Sequence, residues 1–121
     1  MARILIIDDE AGIRETLAVL LEEEGHRIDL AANGFDAMDV FKENSPDLVI
    51  CDIMMPEKGG LETIIELRKL NPDVKIIAIS GIARVGPRKI LDWATKIGAH
   101  RTFSKPFWSA DIKNAIDDLL K

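Results

Sequence analysis

Carboxylates follow directly after two short apolar segments of the chain. Asp8 and Asp9 follow residues 3–7 (Arg-Ile-Leu-Ile-Ile), and Asp52 follows residues 47–51 (Asp-Leu-Val-Ile-Cys). Short β-branched runs that end at charged residues are typical of buried parallel strands that surface at their carboxyl ends. In an open α/β sheet the ligand crevice lies just beyond those ends. The three aspartates are therefore expected to lie close together.

Three clustered carboxylates need a cation. Each close pair repels by roughly 4 kcal/mol at about 4 Å and an effective dielectric of about 20. Capping of a helix could account for one aspartate after the first strand, because the helix dipole favours an acidic residue there, but hardly for two beside a third. The sequence therefore predicts a metal site formed by Asp8, Asp9 and Asp52.

The rest of the chain supplies elements that could place these residues. Strand-type apolar runs alternate with segments of helical period, and no linker, repeat or low-complexity stretch interrupts them. Five β-α units of this kind predict one α/β domain over residues 1–121, with a parallel sheet and helices on both faces. The predicted strands cover residues 3–7, 26–32, 47–51, 74–79 and 101–104.

Composition and charge exclude several classes of function. The chain has 121 residues, which fits one domain, and a formal net charge of −5, which argues against direct binding of nucleic acid. The single cysteine, Cys51, cannot form an internal disulfide and is expected in the core. No secretory leader and no run of membrane-spanning length is seen, so we expect a cytoplasmic protein without a membrane partner.

Four short motifs occur in order along the chain: Asp8-Asp9, Asp52-Ile53-Met54-Met55-Pro56, Ser80 and Lys105-Pro106-Phe107. Together they resemble the receiver domain of bacterial two-component response regulators, over essentially the whole sequence. The resemblance implies a flavodoxin-like, doubly wound sheet with strand order 2-1-3-4-5.

The resemblance also implies a chemical role for each acidic residue. Asp52 would accept a phosphoryl group from the phosphohistidine of a histidine kinase or a phosphotransfer protein, since a carboxylate is a competent acceptor once charge on the donor is neutralised. The cofactor implied is Mg²⁺, which prefers octahedral oxygen ligands and keeps several waters. Asp9 would bind it directly and Asp8 through water, with Asp52 and the backbone carbonyl of Met54 completing the site.

Two further residues are implied to act on the phosphoryl group. Lys105 would serve as a compact positive charge against a phosphoryl oxygen, and the Lys105–Pro106 bond is expected to be cis. Ser80 would offer a hydroxyl donor to the modified Asp52. Glu10, which extends the acidic run, is expected to belong to the helix start rather than to the metal ligands.

The chain departs from the family in the part that concerns output. Thr102 stands where the family usually has Tyr or Phe, so the usual aromatic switch is not expected, and Phe103 should point to the opposite face of the strand. The second departure is the stretch from Gly81 to Pro87, because the segment from Ser80 to Gly98-Ala99 is longer than the family commonly shows. We hypothesise that its Arg84 and Arg88 contribute to a partner surface, a solvated loop being the equal alternative.

The two tryptophans, Trp93 and Trp108, are expected to pack in the core, although an exposed Trp near the last helix could instead anchor a partner.

These features favour a stand-alone, phosphorylation-controlled binding module rather than an enzyme, with slow self-dephosphorylation and a phosphorylation-linked dimer left open. Its downstream protein target is unidentified, and the chain could equally be the receiver of a longer protein. One alternative is a phosphorylation-independent scaffold. The other is a Mg²⁺-dependent phosphohydrolase, which is disfavoured because that class carries an Asp-x-Asp pattern after its first strand and needs an insertion for a substrate cap.

Overall fold

The computed structural model describes residues 2–54, 59–81 and 87–121, with the backbone alone for residues 87–91. Strands and helices alternate along the chain. The strands are β1 (Arg3–Ile7), β2 (Arg27–Ala31), β3 (Leu48–Asp52), β4 (Lys75–Ser80) and β5 (Arg101–Ser104). The helices are α1 (Ala11–Glu23), α2 (Gly34–Glu43), α3 (Gly60–Leu70), α4 (Pro87–Lys96) and α5 (Ser109–Leu119).

The strands form one parallel sheet in the order β2-β1-β3-β4-β5, which confirms the predicted topology. In the middle of the sheet, Ile7 of β1 pairs with both Ala31 of β2 and Cys51 of β3. On the other side of β3, Asp52 pairs with Ile79 of β4. This register brings the carboxyl ends of β1 and β3 side by side, which is where the predicted metal ligands lie.

Each face of the sheet carries its own apolar core. Successive strand residues point to opposite faces, so every central strand contributes to both cores. One core packs against α1 and α5, and the other packs against α2, α3 and α4. The helical side chains of the first core include Leu17, Leu21, Ile112, Ala115 and Ile116. Those of the second include Ala37, Phe41, Ile64, Leu67 and Ala94.

Local sequence fixes the starts of two helices. The Asn33 side-chain oxygen accepts a hydrogen bond from the Asp36 backbone N–H at 2.9 Å and so caps α2. Helix α3 begins at Gly60, where a Cβ atom would overlap the carbonyl oxygen of Asp52. Glycine at this position lets the helix start pack directly on the end of β3.

The structure corrects several details of the predicted elements. Strand β3 includes Asp52, and β4 is shifted one residue toward the carboxyl end, because the backbone ladder continues through the polar residues that close each strand. Strand β2 lacks the first and last residues of its predicted range. Cys51 is buried as expected.

The predicted core packing of the tryptophans is wrong for Trp108, which is 78% exposed. Trp93, at 49% exposed, is only half covered. Trp108 is the N-cap residue of α5, just outside the helix, and it belongs to neither core.

Two features of the predicted output region can be placed in part. Phe103 packs against the α1 and α5 core, as expected, whereas Thr102 pairs with Ala78, a residue of the other core. Arg84, the side chain of Arg88 and the motif residues Met55 and Pro56 lie outside the described residues.

None of the helices in the described parts of the chain has the length and apolar character that a membrane-spanning segment needs.

Candidate functional site

The predicted acidic cluster is assembled at the carboxyl edge of the sheet. Asp8 directly follows β1 and Asp52 closes β3, and both are only 2% exposed, while Asp9 is exposed. One carboxylate oxygen from each of the three residues lies within 4.8 Å of the others. The structure thus brings together the three side chains that the sequence singled out.

Lys105 enters the same cluster from the end of β5. Its Nζ atom lies 2.9 Å from Asp8 Oδ2 and 3.4 Å from Asp52 Oδ2. The Lys105 backbone N–H donates to the Ser80 carbonyl oxygen at 2.7 Å, which ties this loop to the end of β4. The Lys105–Pro106 peptide bond is cis, as expected.

Burial makes the charge of the cluster costly. The pKa of Asp52 is raised to about 7, first because burial removes water from its carboxylate and second because Asp8 repels its charge. Lys105 and the Met54 backbone N–H, which donates to Asp52 Oδ1 at 3.1 Å, oppose that rise without cancelling it. One ammonium group therefore does not neutralise the carboxylates around it.

Lys105 itself remains charged. Burial alone would lower the pKa of its ammonium group, but the hydrogen bond to Asp8 and the charges of Asp52 and Asp8 outweigh burial and raise it. The site therefore keeps an excess of negative charge at neutral pH.

The donor set fits a hard divalent cation. Carboxylate oxygens are the ligands that Mg²⁺ prefers, and one or two carboxylates with water are its usual protein ligands. The raised pKa of Asp52 agrees with this fit, because a cation bound at the cluster would favour the ionised form of the carboxylate. Met54, whose backbone carbonyl is the implied ligand, lies two residues after Asp52 at the same edge of the sheet.

Ser80 is close to the site but is engaged elsewhere. It is fully buried at the end of β4, and its Oγ atom donates to the Gly81 carbonyl oxygen at 3.1 Å. Since its hydroxyl has a single proton to donate, Ser80 would have to break this local bond before it could donate to a group attached to Asp52.

Two residues that contact the cluster were not anticipated. The Glu10 carboxylate accepts a hydrogen bond from Lys105 Nζ at 3.2 Å, so Glu10 does more than begin the helix. Arg14 Nη1 donates to the Asp8 carbonyl oxygen at 2.7 Å and fixes the backbone after β1. Arg14 lies four residues after Glu10, on the face of α1 that turns toward the strand end. That helical spacing could have placed Arg14 near the strand end, whereas no local pattern indicates the contact between Glu10 and Lys105.

A doubly wound sheet with buried carboxylates and a lysine at its carboxyl edge defines a class of phosphorylation-controlled signalling domains. The family model described as "Response regulator receiver domain" matches residues 4–117, and the chain belongs to this family. The resemblance inferred from the motifs is thereby confirmed. Proteins of the family are phosphoacceptors rather than classical enzymes, and they generally bind Mg²⁺ at an acidic pocket.

Relatives of two kinds support this assignment. The chain is 36% identical to the chemotaxis protein CheY of Halobacterium salinarum, over 98% of this chain and 96% of that protein. It is 30% identical to sporulation initiation phosphotransferase F of Bacillus subtilis, over 98% of this chain and 93% of that protein. Receiver domains of these types interact with histidine kinases or phosphotransfer partners and with downstream targets.

A solved structure shows the same fold. The response regulator protein TrrA from Thermotoga maritima, in complex with Mg²⁺-BeF, superposes with a TM-score of 0.85 and 39% identity. The match covers 98% of this chain and 99% of that chain. The comparisons support phosphorylation-controlled signalling, and they support neither the scaffold nor the phosphohydrolase alternative.

Proposed function

We propose that residues 1–121 act as one receiver domain in which Asp52 accepts the phosphoryl group. The observation that carries this proposal is the convergence of Asp8, Asp9, Asp52 and Lys105 from distant parts of the chain onto one pocket. Asp52 closes β3 within that group, has a pKa raised to about 7 and lies 3.4 Å from the Lys105 ammonium. A perturbed, buried carboxylate beside a fixed positive charge is suited to act as a nucleophile.

The transfer consumes a phosphohistidine on the donor protein. An Asp52 carboxylate oxygen attacks the phosphorus atom, and the phosphorus–nitrogen bond breaks. The electron pair of that bond returns to the imidazole nitrogen, which takes up a proton, and an acyl phosphate forms on Asp52. Asp52 has to be ionised for this attack, and its raised pKa of about 7 makes a neighbouring cation important.

The chain's own residues divide the remaining tasks. When Mg²⁺ is held by Asp8, Asp9, Asp52 and the carbonyl of Met54, it supplies positive charge that offsets the phosphoryl oxygens. Lys105 already faces Asp52 and would pair with a phosphoryl oxygen. Ser80 would exchange its bond to the Gly81 carbonyl for a bond to the phosphoryl group, and this exchange would move the segment after β4.

The donor is a histidine kinase or a phosphotransfer protein, and the output is altered binding of a downstream protein in the cytoplasm. Thr102 lacks the ring of the family's aromatic switch, so output passes through another element. Slow hydrolysis of the acyl phosphate would reset the domain. Dimerisation on phosphorylation is a further outcome, which sedimentation of the phosphorylated protein can monitor.

Labelling with a small phosphodonor tests the acceptor. The protein is incubated with acetyl phosphate and Mg²⁺, and intact mass spectrometry is expected to show the gain of one phosphoryl group. Asp52→Asn should abolish that gain, as should chelation of the metal. Asp39→Asn removes an exposed carboxylate from α2 and should leave labelling at the wild-type level.

Labelling of a folded Asp52→Asn variant would refute the acceptor assignment. A folded wild-type protein that takes up no phosphoryl group from any donor would refute the function.

A further inference from the structure

The Lys105 ammonium group has three carboxylate partners. Its Nζ atom lies 2.9 Å from Asp8, 3.2 Å from Glu10 and 3.4 Å from Asp52. An ammonium group has three N–H bonds to donate. Glu10 therefore takes up one of the three donors of a lysine on which the proposed phosphoryl chemistry depends.

Glu10 differs from the other two partners in its surroundings. The side chains of Asp8 and Asp52 are 2% exposed, whereas that of Glu10 is 62% exposed. Glu10 is the N-cap residue of α1, yet its side chain makes no capping hydrogen bond. Its backbone N–H donates to Asp8 Oδ1 at 2.9 Å, so its main chain is fixed at the cluster while its carboxylate is held by Lys105.

We propose that Glu10 is a positioning residue that holds the Lys105 ammonium at the mouth of the pocket and must release it when Asp52 is phosphorylated. This inference rests on the proposed function of Asp52. A phosphoryl group adds negative charge and strong acceptor oxygens close to Lys105, and these oxygens would compete with Glu10 for the same N–H donor. Glu10 therefore biases the protein toward its unphosphorylated state.

Charge makes the effect of Glu10 distinguishable from a structural one. The carboxylate of Glu10 attracts a cation that approaches the cluster and repels an anionic phosphoryl group. Removal of its charge is thus expected to act in opposite directions on the two ligands. A loss of folding or of helix capping would weaken the binding of both.

Two substitutions separate the contact of Glu10 with Lys105 from the effect of the Glu10 charge. Glu10→Gln keeps the length of the side chain and removes its charge, while Glu10→Asp keeps the charge and shortens the reach toward Lys105. Glu15→Gln is the matched control, because Glu15 is an exposed carboxylate of the same helix and its substitution makes the same change in net charge.

Titration calorimetry measures the binding affinity for Mg²⁺ alone and then, at saturating Mg²⁺, the affinity for beryllofluoride, a phosphoryl mimic. Glu10→Gln is expected to bind beryllofluoride about two- to fivefold more tightly, the range for an exposed ion pair, and to bind Mg²⁺ about twofold more weakly through the lost charge. Glu10→Asp is expected to bind the mimic more tightly with Mg²⁺ affinity unchanged. Glu15→Gln should match wild type for both ligands.

The outcomes separate this inference from the proposed function. A folded wild-type protein that binds no beryllofluoride would refute the function of Asp52 itself. Wild-type binding with Glu10→Gln equal to Glu15→Gln would overturn the role of Glu10 alone. Tighter binding in Glu10→Gln with Glu10→Asp equal to wild type would also overturn it, because the charge of Glu10 would then act without any hold on Lys105.

Discussion

The interior of the sheet and its carboxyl edge are buried to nearly the same degree but are built from opposite chemistry. Ile50, in the middle of β3, is 1% exposed, and Asp52, two residues further along the same strand, is 2% exposed. Burial of an apolar side chain contributes roughly 25 cal/mol per Å² removed from water. Burial of a carboxylate costs free energy unless it is fully paired.

The difference shows how the two regions depend on each other. The interior provides stability in excess, and it sets the strand register that holds Asp8 and Asp52 at fixed separation. Burial of the charges at the edge lowers that stability, because Lys105 offsets them incompletely, as the raised pKa of Asp52 shows. The geometry of the edge thus depends on the packing of residues in the interior.

The largest effect is expected in the interior. Ile50→Ala should lower the free energy of unfolding by about 3–4 kcal/mol, because it removes a buried side chain and leaves a cavity between β3 and the α1 and α5 core. Ile65→Ala, at a position that is 40% exposed, should cost less than about 1 kcal/mol. Urea denaturation measures both losses of stability, and equal losses would contradict the stabilising role assigned to the buried interior.

A glycine at the edge is expected to have the next largest effect. Gly60→Ala would place a Cβ atom against the carbonyl oxygen of Asp52 and the Cα atom of Ile53, and both are backbone atoms that cannot move aside cheaply. We expect a loss of about 2–3 kcal/mol in stability, within the range for overpacking, together with slower labelling by acetyl phosphate.

Gly12→Ala is the control for this change, because a Cβ atom at Gly12 would meet nothing within 4 Å. In a helix that substitution should stabilise by about 0.5–1 kcal/mol. A Gly60→Ala variant as stable as wild type would show that α3 does not press on the end of β3 as the structure indicates.

Patterns confined to one element were predictable from the sequence. Strands β1 and β5 have the predicted bounds, because apolar runs between polar residues mark a buried strand directly. The end of β3 was missed by one residue, since a carboxylate reads as the start of a loop although Asp52 still pairs with Ile79. The convergence of Asp8, Asp9 and Asp52 followed from the geometry of parallel strands.

Other contacts between distant residues were not predictable in this way. Glu10 and Lys105 are 95 positions apart, and nothing in either local pattern indicates that their side chains meet. Trp108 was expected in the core from its apolar character, but its exposure depends on how the chain turns into α5. Such details depend on the relative placement of whole elements, which periodicity does not encode.

The smallest predicted effect is an increase in the free energy of unfolding when the buried carboxylate of Asp52 is removed from the edge. Asp52 has a pKa of about 7 in the folded protein and an ordinary value of 3.8. The unfolded chain therefore releases this proton first, so the contribution of Asp52 to stability falls as pH rises from about 4 to about 7 and is constant above that range. Asp52→Asn removes this loss, and the raised pKa already includes the attraction to Lys105. The amide that replaces the carboxylate is itself a buried polar group and costs part of the gain, so we expect a net gain of about 1–2 kcal/mol at pH 8 without Mg²⁺. Urea denaturation across pH should show the gap between variant and wild type opening between pH 4 and 7. A gap that stays constant with pH would mean that the buried carboxylate at the edge is not the costly group.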